Sequence, residues 1–309
     1  MEKILHVPPD GEGLRLDRFL AQNLPGVSRS FVADLIRGGL ARVAGKSAQA
    51  DRKLQAGEEV RLREAARGWS SGKDPLKGWI IHEDASILVL DKPSGLLMHP
   101  LGVSWLNRPE LAAQEATPNL AGLLFAARPE LRRVPRLGIV HRLDRGTSGV
   151  LVVAKTAKAS SALTEAFERR AVSKIYRAIV RGRPSEKVTR VEAPVGRRSR
   201  RRRITVTPFG RPAQTEIRVL ERGRDAALVE ARPQTGRTHQ IRAHLAHAGH
   251  PVAGDPDFDK APAPRLMLHS YGLAFSHPRG GKAVRFNARA PADFIDFWRK
   301  LRAAARRAG

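Results

Sequence analysis

The chain has 309 residues and no cysteine, which excludes disulfides, a thiolate nucleophile and cysteine-ligated zinc and fits a reducing compartment. Its 56 Lys and Arg against 30 Asp and Glu leave a formal net charge of +26, an excess that favours a polyanionic partner, nucleic acid ahead of an anionic membrane. The apolar runs, such as 87–90 and 149–154, are far too short to span a bilayer, and MEKILHVPPDGEG lacks the apolar core and cleavage pattern of a secretory signal, so a cytoplasmic protein of about two domains is expected.

Residues 14–66 read as one small basic module. LDRFLAQNL predicts a short amphipathic helix with Leu16, Phe19, Leu20 and Leu24 on one face and Asp17, Arg18 and Gln22 outward. After the break at Pro25 and Gly26, Ser28 caps a second helix, SRSFVADLIRGG, that buries Phe31, Val32, Leu35 and Ile36 and stops at Gly38 and Gly39. A β-hairpin follows around ARVAGKSAQ, and the alternating EEVRLRE closes the module. Arg29, Arg37, Arg42 and Lys46 project from it as a surface for phosphates. Gly39 followed by Gly45, Lys46 and Ser47 nearly spells the phosphate loop GxxxxGK[ST], but the glycines are one residue too far apart and no buried strand precedes them, so a hairpin turn is the reading.

Residues 67–78, within the Gly-, Ser- and Lys-rich AARGWSSGKDPLKG, form a linker, and a larger domain spans residues 79–305. SILVLDKPSGLLMHP predicts a buried strand ended by Pro93. RPELAAQEATP and residues 255–264 read as loops. TAKASSALTEAFERR predicts a helix with Ala162, Leu163, Ala166 and Phe167 inward. KIYRAIVRG, TEIRVLER and AALVEARP read as strands, THQIRAHLAHAG as a helix, and PADFIDFWRKLRAAARR as the closing helix. Strands outnumber helices without βαβ alternation, so the expected class is α+β with a mixed, mainly antiparallel sheet beside a small α/β N-terminal module.

Two stretches carry candidate chemistry. In HRLDRGTSGVLVVAK, Asp144 sits at a strand entrance fenced by Arg142 and Arg145, with Gly146 to Gly149 forming a tight turn before the apolar run. In ARPQTGRTHQIRAHLAHAGHPVAGD, Thr238 is the expected N-cap, so the first helical turn offers free N–H groups beside Arg237 and His239 to an anion. Arg242 lies about 100° round the helix from Ile241, at the edge of the core. If it meets Asp144, it holds the carboxylate ionised and oriented, as a nucleophile or general base requires. His239, His244, His247 and His250 lack HExxH and fall on different faces, so no metal site is expected. GRRSRRRR, with six arginines in residues 196–203, is a solvated loop or a grip on RNA backbone. Tyr176, one of only two tyrosines, lies in an apolar strand. The aspartic-protease and aspartyl-phosphate patterns both fail at Arg145 and Gly146.

These residues resemble the RluA family of pseudouridine synthases. HRLDRGTSGVLVVAK is similar to its catalytic motif, KIYRAIVRG to its tyrosine motif and PQTGRTHQIRAHLAHAGHPVAGD to its third motif. KPSGLLMHP, RPAQTEIRVLE and RLMLHS match further blocks in order, from residue 79 to about 290. LRLDRFL, SRS, LIRGG and VAGK resemble the RNA-binding domain of ribosomal protein S-four. The resemblance implies Asp144 as nucleophile on the uridine ring or its ribose, Arg142 filling the space left by a flipped nucleotide, and Tyr176 stacking on the uracil and assisting the proton step. It further implies Arg242 paired with Asp144 and Leu268 packed in the pocket. No cofactor or metal is implied, since the uracil is cut from the ribose at N1 and rejoined to it through C5 with no net redox change. Two departures stand out: Gly146 replaces an acidic residue common in the family, and Phe258 falls where GDxxY would place tyrosine. Residues 102–118 fit no family block.

The extra N-terminal module of the resemblance implies a large-subunit (23S) ribosomal RNA substrate, and a monomer is the default expectation. Transfer RNA is the second substrate reading. A non-catalytic RNA-binding or ribosome-assembly factor is the rival from a different class, which the full catalytic set argues against.

Overall fold

The structure, a computed structural model, describes residues 2–23, 32, 36, 41–63, 74–100, 103–115, 117–185, 188–197 and 203–306. The chain divides into two compact units, Met1–Ile80 with Gly95–Leu137, and Ile81–Ser94 with Gly138–Gly309.

In the first unit, strands β1 (Glu2–His6), β2 (Ala41–Val43), β3 (Lys46–Ser47) and β4 (Glu59–Arg63) make an antiparallel sheet in the order β1-β4-β2-β3. β1 has no counterpart among the predicted elements. The helix Leu16–Asn23 turns Leu16, Phe19 and Leu20 onto Val43, Val60 and Leu62, with Val32 and Ile36 in the same core. Arg18 and Gln22 face solvent as expected, whereas Asp17 does not: it is 6% exposed. The Arg15 guanidinium donates to both of its oxygens at 3.2 Å, and a carboxylate so paired in the first helical turn is tolerated with little water. Leu24, Arg29, Phe31, Leu35 and Arg37 lie outside the described residues. Between β2 and β3, Ala44 and Gly45 both take positive φ (47° and 75°), a two-residue hairpin turn that leaves Lys46 exposed.

The stretch expected as the loop RPELAAQEATP instead contains the helix Glu110–Gln114. Asn119 explains it. Its side chain accepts from Gly122 N (2.9 Å) to cap the helix Leu120–Ala127 and donates to Ala112 O (2.8 Å), stapling the short helix to its neighbour.

The second unit is built on a nine-stranded sheet of β5 (Ile80–Glu83), β6 (Ile87–Lys92), β7 (Ser148–Ala154), β8 (Ser173–Arg181), β9 (Val188–Glu192), β12 (Gln214–Arg222), β13 (Ala226–Pro233), β14 (Leu268–Ser276) and β15 (Ala283–Asn287). The order is β5-β6-β7-β14-β8-β13-β12-β9, with β15 beside β14. β7 pairs in parallel with β14, while the other described registers of this sheet are antiparallel, the mixed and mainly antiparallel sheet expected of the α+β class. β10 (Val195–Arg197) and β11 (Ile204–Val206) form a separate hairpin. Every residue of β7 is buried, as its apolar run requires. The helix Ala157–Glu168 packs Ala159 and Leu163 on Val150 and Val152, while Ile241 and Leu245 of the helix Gln240–His247 join Ile179, Val229 and Trp298 in a second core. Among the described residues no helix is long and apolar enough to cross a membrane.

Candidate active site

The site begins with the turn that feeds β7. Leu143 is buried and anchors the approach, and Thr147 N donates to Asp144 O at 3.0 Å, closing a turn with the Asp144 side chain at its start. Gly149 takes φ +112°, where a Cβ would collide with the Ser270 carbonyl, so glycine lets β7 approach β14 closely enough to pair. Side chains lock this register: Ser148 Oγ is hydrogen-bonded to His269 Nδ1 at 2.9 Å, and Ser270 Oγ donates to Val150 O at 2.9 Å. Ser270 pairs with Gly149 on one side and with Tyr176 on the other, and Tyr176 pairs with Ala231. One cross-strand line thus fixes Tyr176 relative to the turn that carries Asp144.

A cleft of about 510 Å³ opens over this line, lined by Asp144, Tyr176, Leu268, Arg237, His239 and Arg242, with Arg142 also on its wall and solvent-exposed. It therefore gathers seven of the predicted site residues. Arg29 and Arg37 lie outside the described residues, and Lys46 lies on the β2–β3 hairpin of the other unit.

Arg242 meets Asp144, but not as its principal partner. Its Nη1 is 3.8 Å from Asp144 Oδ2, whereas Nε and Nη2 donate at 2.7 Å to the two oxygens of Asp255 and Nη2 donates at 2.6 Å to Asp257. Arg242 is 5% exposed and Asp255 is fully buried. Burial works against the guanidinium charge, but the bonds to Asp255 and the charges of Asp144 and Asp257 more than offset it and push its pKa up. The result is a fixed cation beside a carboxylate that keeps a 20% exposed face toward the cleft. Asp255 and Asp257 were not singled out in the sequence. Their signal is that Asp255 is the last residue of the third motif and Asp257 lies two residues further on in GDPDFD, a loop without periodicity.

The N-terminus of the helix differs from expectation. The N-cap is His239, not Thr238, and it takes a left-handed φ of 53° with no side-chain cap. Gln240 closes this end instead: its Oε1 accepts from Arg237 N (3.0 Å) and Thr235 Oγ1 (2.6 Å), and its Nε2 donates to Gln214 O (2.9 Å). Of the first-turn N–H groups read as an anion site, that of Gln240 is occupied, donating to Arg237 O at 3.1 Å. His239 Nε2 stands 3.8 Å from Asp144 Oδ1, and burial pushes its imidazole pKa down against the pull of Asp144. His244 is a core residue, hydrogen-bonded to Thr215 Oγ1 and Ala193 O at 2.9 Å each.

Tyr176 has its phenol pushed well above the ordinary range, first by burial and then by the Asp144 charge, against a hydrogen bond with Ser270. It is a neutral hydroxyl at working pH. Lys174, two residues earlier on β8, also lines the cleft and donates to Thr235 O at 3.2 Å. Beneath Asp144, the fully buried Lys92 donates to Pro93 O (2.8 Å) and Arg145 O (3.3 Å), and burial pushes it down to about 7 despite the opposing Asp144 charge. Both departures from the family pattern fit locally. A Cβ at Gly146 would press to 3.1 Å on Leu266 Cβ, and the Phe258 ring lies 4.9 Å under the Arg203 guanidinium.

A carboxylate, a tyrosine and a clamped arginine sharing one cleft of a strongly basic protein fit an enzyme that acts on a nucleic acid. Family models agree: the one described as RNA pseudouridylate synthase matches residues 86–247, and the one described as S4 domain matches residues 14–60. The chain belongs to the RNA pseudouridylate synthase family, with an S4 domain at its N-terminal side. Among its relatives, the ribosomal large subunit pseudouridine synthase D of Neisseria meningitidis serogroup A is 37% identical over 320 residues, covering 97% of this chain and 82% of the relative. The ribosomal large subunit pseudouridine synthase C of Escherichia coli K12 is 38% identical over 309 residues, covering 93% and 92%. The solved structure of human RNA pseudouridylate synthase domain containing 1 superposes with a TM-score of 0.55 at 26% identity, covering 72% of this chain and 86% of that one.

Proposed function

We propose that this enzyme isomerises specific uridines of large-subunit (23S) ribosomal RNA, with Asp144 as the nucleophile. The target nucleotide leaves its stack to enter the cleft. Arg142, exposed at the cleft, occupies the vacated space. Asp144 attacks either ribose C1′ or uracil C6, the N1–C1′ bond breaks, the uracil turns so that C5 bonds to C1′, and the bond from Asp144 breaks to return the free carboxylate. The C5 proton leaves and N1 takes one up, so atoms and electrons balance without a cofactor. Carboxylate attack at a glycosidic carbon has a parallel in retaining glycosidases.

In this reading Arg242 orients Asp144, the Tyr176 ring stacks on the uracil with its neutral hydroxyl assisting the proton step, and Leu268 packs against the base. Arg237 and His239 meet the nucleotide backbone, and Arg29, Arg37 and Lys46 of the S4 region contact phosphates elsewhere on the RNA. Residues 14–66 act as the RNA-binding domain, 67–78 as linker and 79–305 as catalytic domain. The observation that carries the reading is the Asp144 carboxylate 3.8 Å from a buried, doubly clamped Arg242 in one cleft with Tyr176. The large-subunit substrate is supported by the relatives, which carry the ribosomal large subunit in their names.

The test is release of the C5 hydrogen from C5-labelled large-subunit RNA. Asp144→Asn is expected to abolish release while RNA affinity stays within a few fold, because the substitution removes the nucleophile and no phosphate contact. An Asn variant that still turns over would overturn the assignment.

A further inference from the structure

One aromatic side chain stands almost wholly in water: Phe209 is 93% exposed. Leaving so large an apolar ring unburied forgoes its whole hydrophobic contribution. Its backbone shows that the exposure is enforced. Thr207–Gly210 forms a turn closed by Gly210 N donating to Thr207 O (2.9 Å), and Thr207 N donates to Pro194 O (2.9 Å). On leaving the turn the chain is bonded in both directions to Val195, through Arg211 N to Val195 O (3.0 Å) and Val195 N to Arg211 O (2.9 Å). Gly210 lies so close to Val195 that a Cβ would come within 2.6 Å of its carbonyl carbon. With both flanks pinned, the ring at the apex finds no apolar surface to fold onto among the described residues.

Two exposed arginines flank it. Arg197 follows Gly196, which packs on Gly210, and Arg211 directly follows the turn. The hairpin is also tied to the catalytic machinery: Val195 packs with Ala243 of the helix that carries Arg242, Arg237 Nε donates to Pro212 O (3.2 Å), and Arg203 Nη1 donates to Asp257 O (2.7 Å). A rigid aromatic face between cations is the arrangement that binds single-stranded nucleic acid, bases stacking on the ring and phosphates meeting arginine.

We infer that Phe209 is a stacking site for an unpaired nucleobase of the RNA substrate, outside the catalytic cleft, with Arg197 and Arg211 on the adjoining phosphates. This rests on the RNA reading above. Every base has a π-face, so the site adds affinity and positions the strand without choosing the uridine.

The experiment compares wild type, Phe209→Ala, Phe209→Leu and Phe209→Trp on the same large-subunit RNA, with melting temperatures to verify folding. Loss of one stacking contact is expected to raise KM about tenfold for Ala and for Leu, with kcat within twofold, while Trp restores wild-type KM. The introduced Trp is expected to have its fluorescence quenched on binding RNA. Wild-type KM in both Ala and Leu variants would overturn the inference, as would full function in Leu, which would mark a merely apolar contact such as one to a protein. Wild-type protein that neither binds nor modifies this RNA would instead overturn the substrate reading and this inference with it.

Discussion

Asp255→Asn tests the clamp behind Arg242. The substitution keeps size and one oxygen but removes the charge and turns an –NH2 group toward a guanidinium that holds both carboxylate oxygens at 2.7 Å. Arg242, 5% exposed, is left with Asp257 at 2.6 Å and Asp144 at 3.8 Å. Removing one partner of a buried ion pair costs about 3–5 kcal/mol, and the lower end is expected because Asp257 still supplies a neutralising charge. About 3 kcal/mol corresponds to a melting temperature lower by roughly 6–12 °C in a unit of this size. The loosened guanidinium no longer fixes the carboxylate, and a misplacement of about 1 Å lowers kcat on the order of 100-fold. Urea unfolding measures the first effect and C5-hydrogen release at saturating RNA the second. Wild-type stability together with wild-type kcat would refute the reasoning, since it would mean that Asp255 neither anchors Arg242 nor bears on Asp144.

Gly149→Ala is expected to destabilise the protein by at least about 3 kcal/mol, because the new Cβ meets the Ser270 carbonyl at a positive φ. Thermal unfolding checks it, and a loss under about 1 kcal/mol would contradict the close β7–β14 approach. Lys92 gives a pH test. Its folded-state pKa of about 7 lies below the ordinary Lys value, so between the two the unfolded chain binds more protons and stability rises with pH. From pH 7 to 9 the wild type is expected to gain about 2–3 kcal/mol relative to Lys92→Met in denaturant unfolding. A difference that stays flat would show that Lys92 keeps an ordinary pKa.

Much of this arrangement is legible in the sequence because its physical causes are local. The apolar run after Gly149 marks β7 and so puts Asp144 at a strand entrance, and the 3.6-residue period of 240–247 puts Arg242 at the edge of a buried face. The illegible parts depend on partners distant in sequence or in irregular chain. Asp255 and Asp257 reach Arg242 from a turn-rich loop 13 and 15 residues on. Lys92 reads as the charged end of a strand before Pro93, and its burial is supported by the carbonyls of Pro93 and of Arg145 in the Asp144 turn. Asp17 reads as outward by helical period, but Arg15 two residues earlier neutralises it. Glu110–Gln114 reads as loop because a single helical turn carries no period, and its support comes from Asn119.

The measurement that most directly tests the central claim is pseudouridine mapping of ribosomal and transfer RNA from cells lacking this protein, complemented with wild type or Asp144→Asn. The account predicts that one or more large-subunit sites are lost and are restored by wild type alone. Restoration by Asp144→Asn would contradict the nucleophile, and loss confined to transfer RNA, or no loss in either RNA, would contradict the substrate.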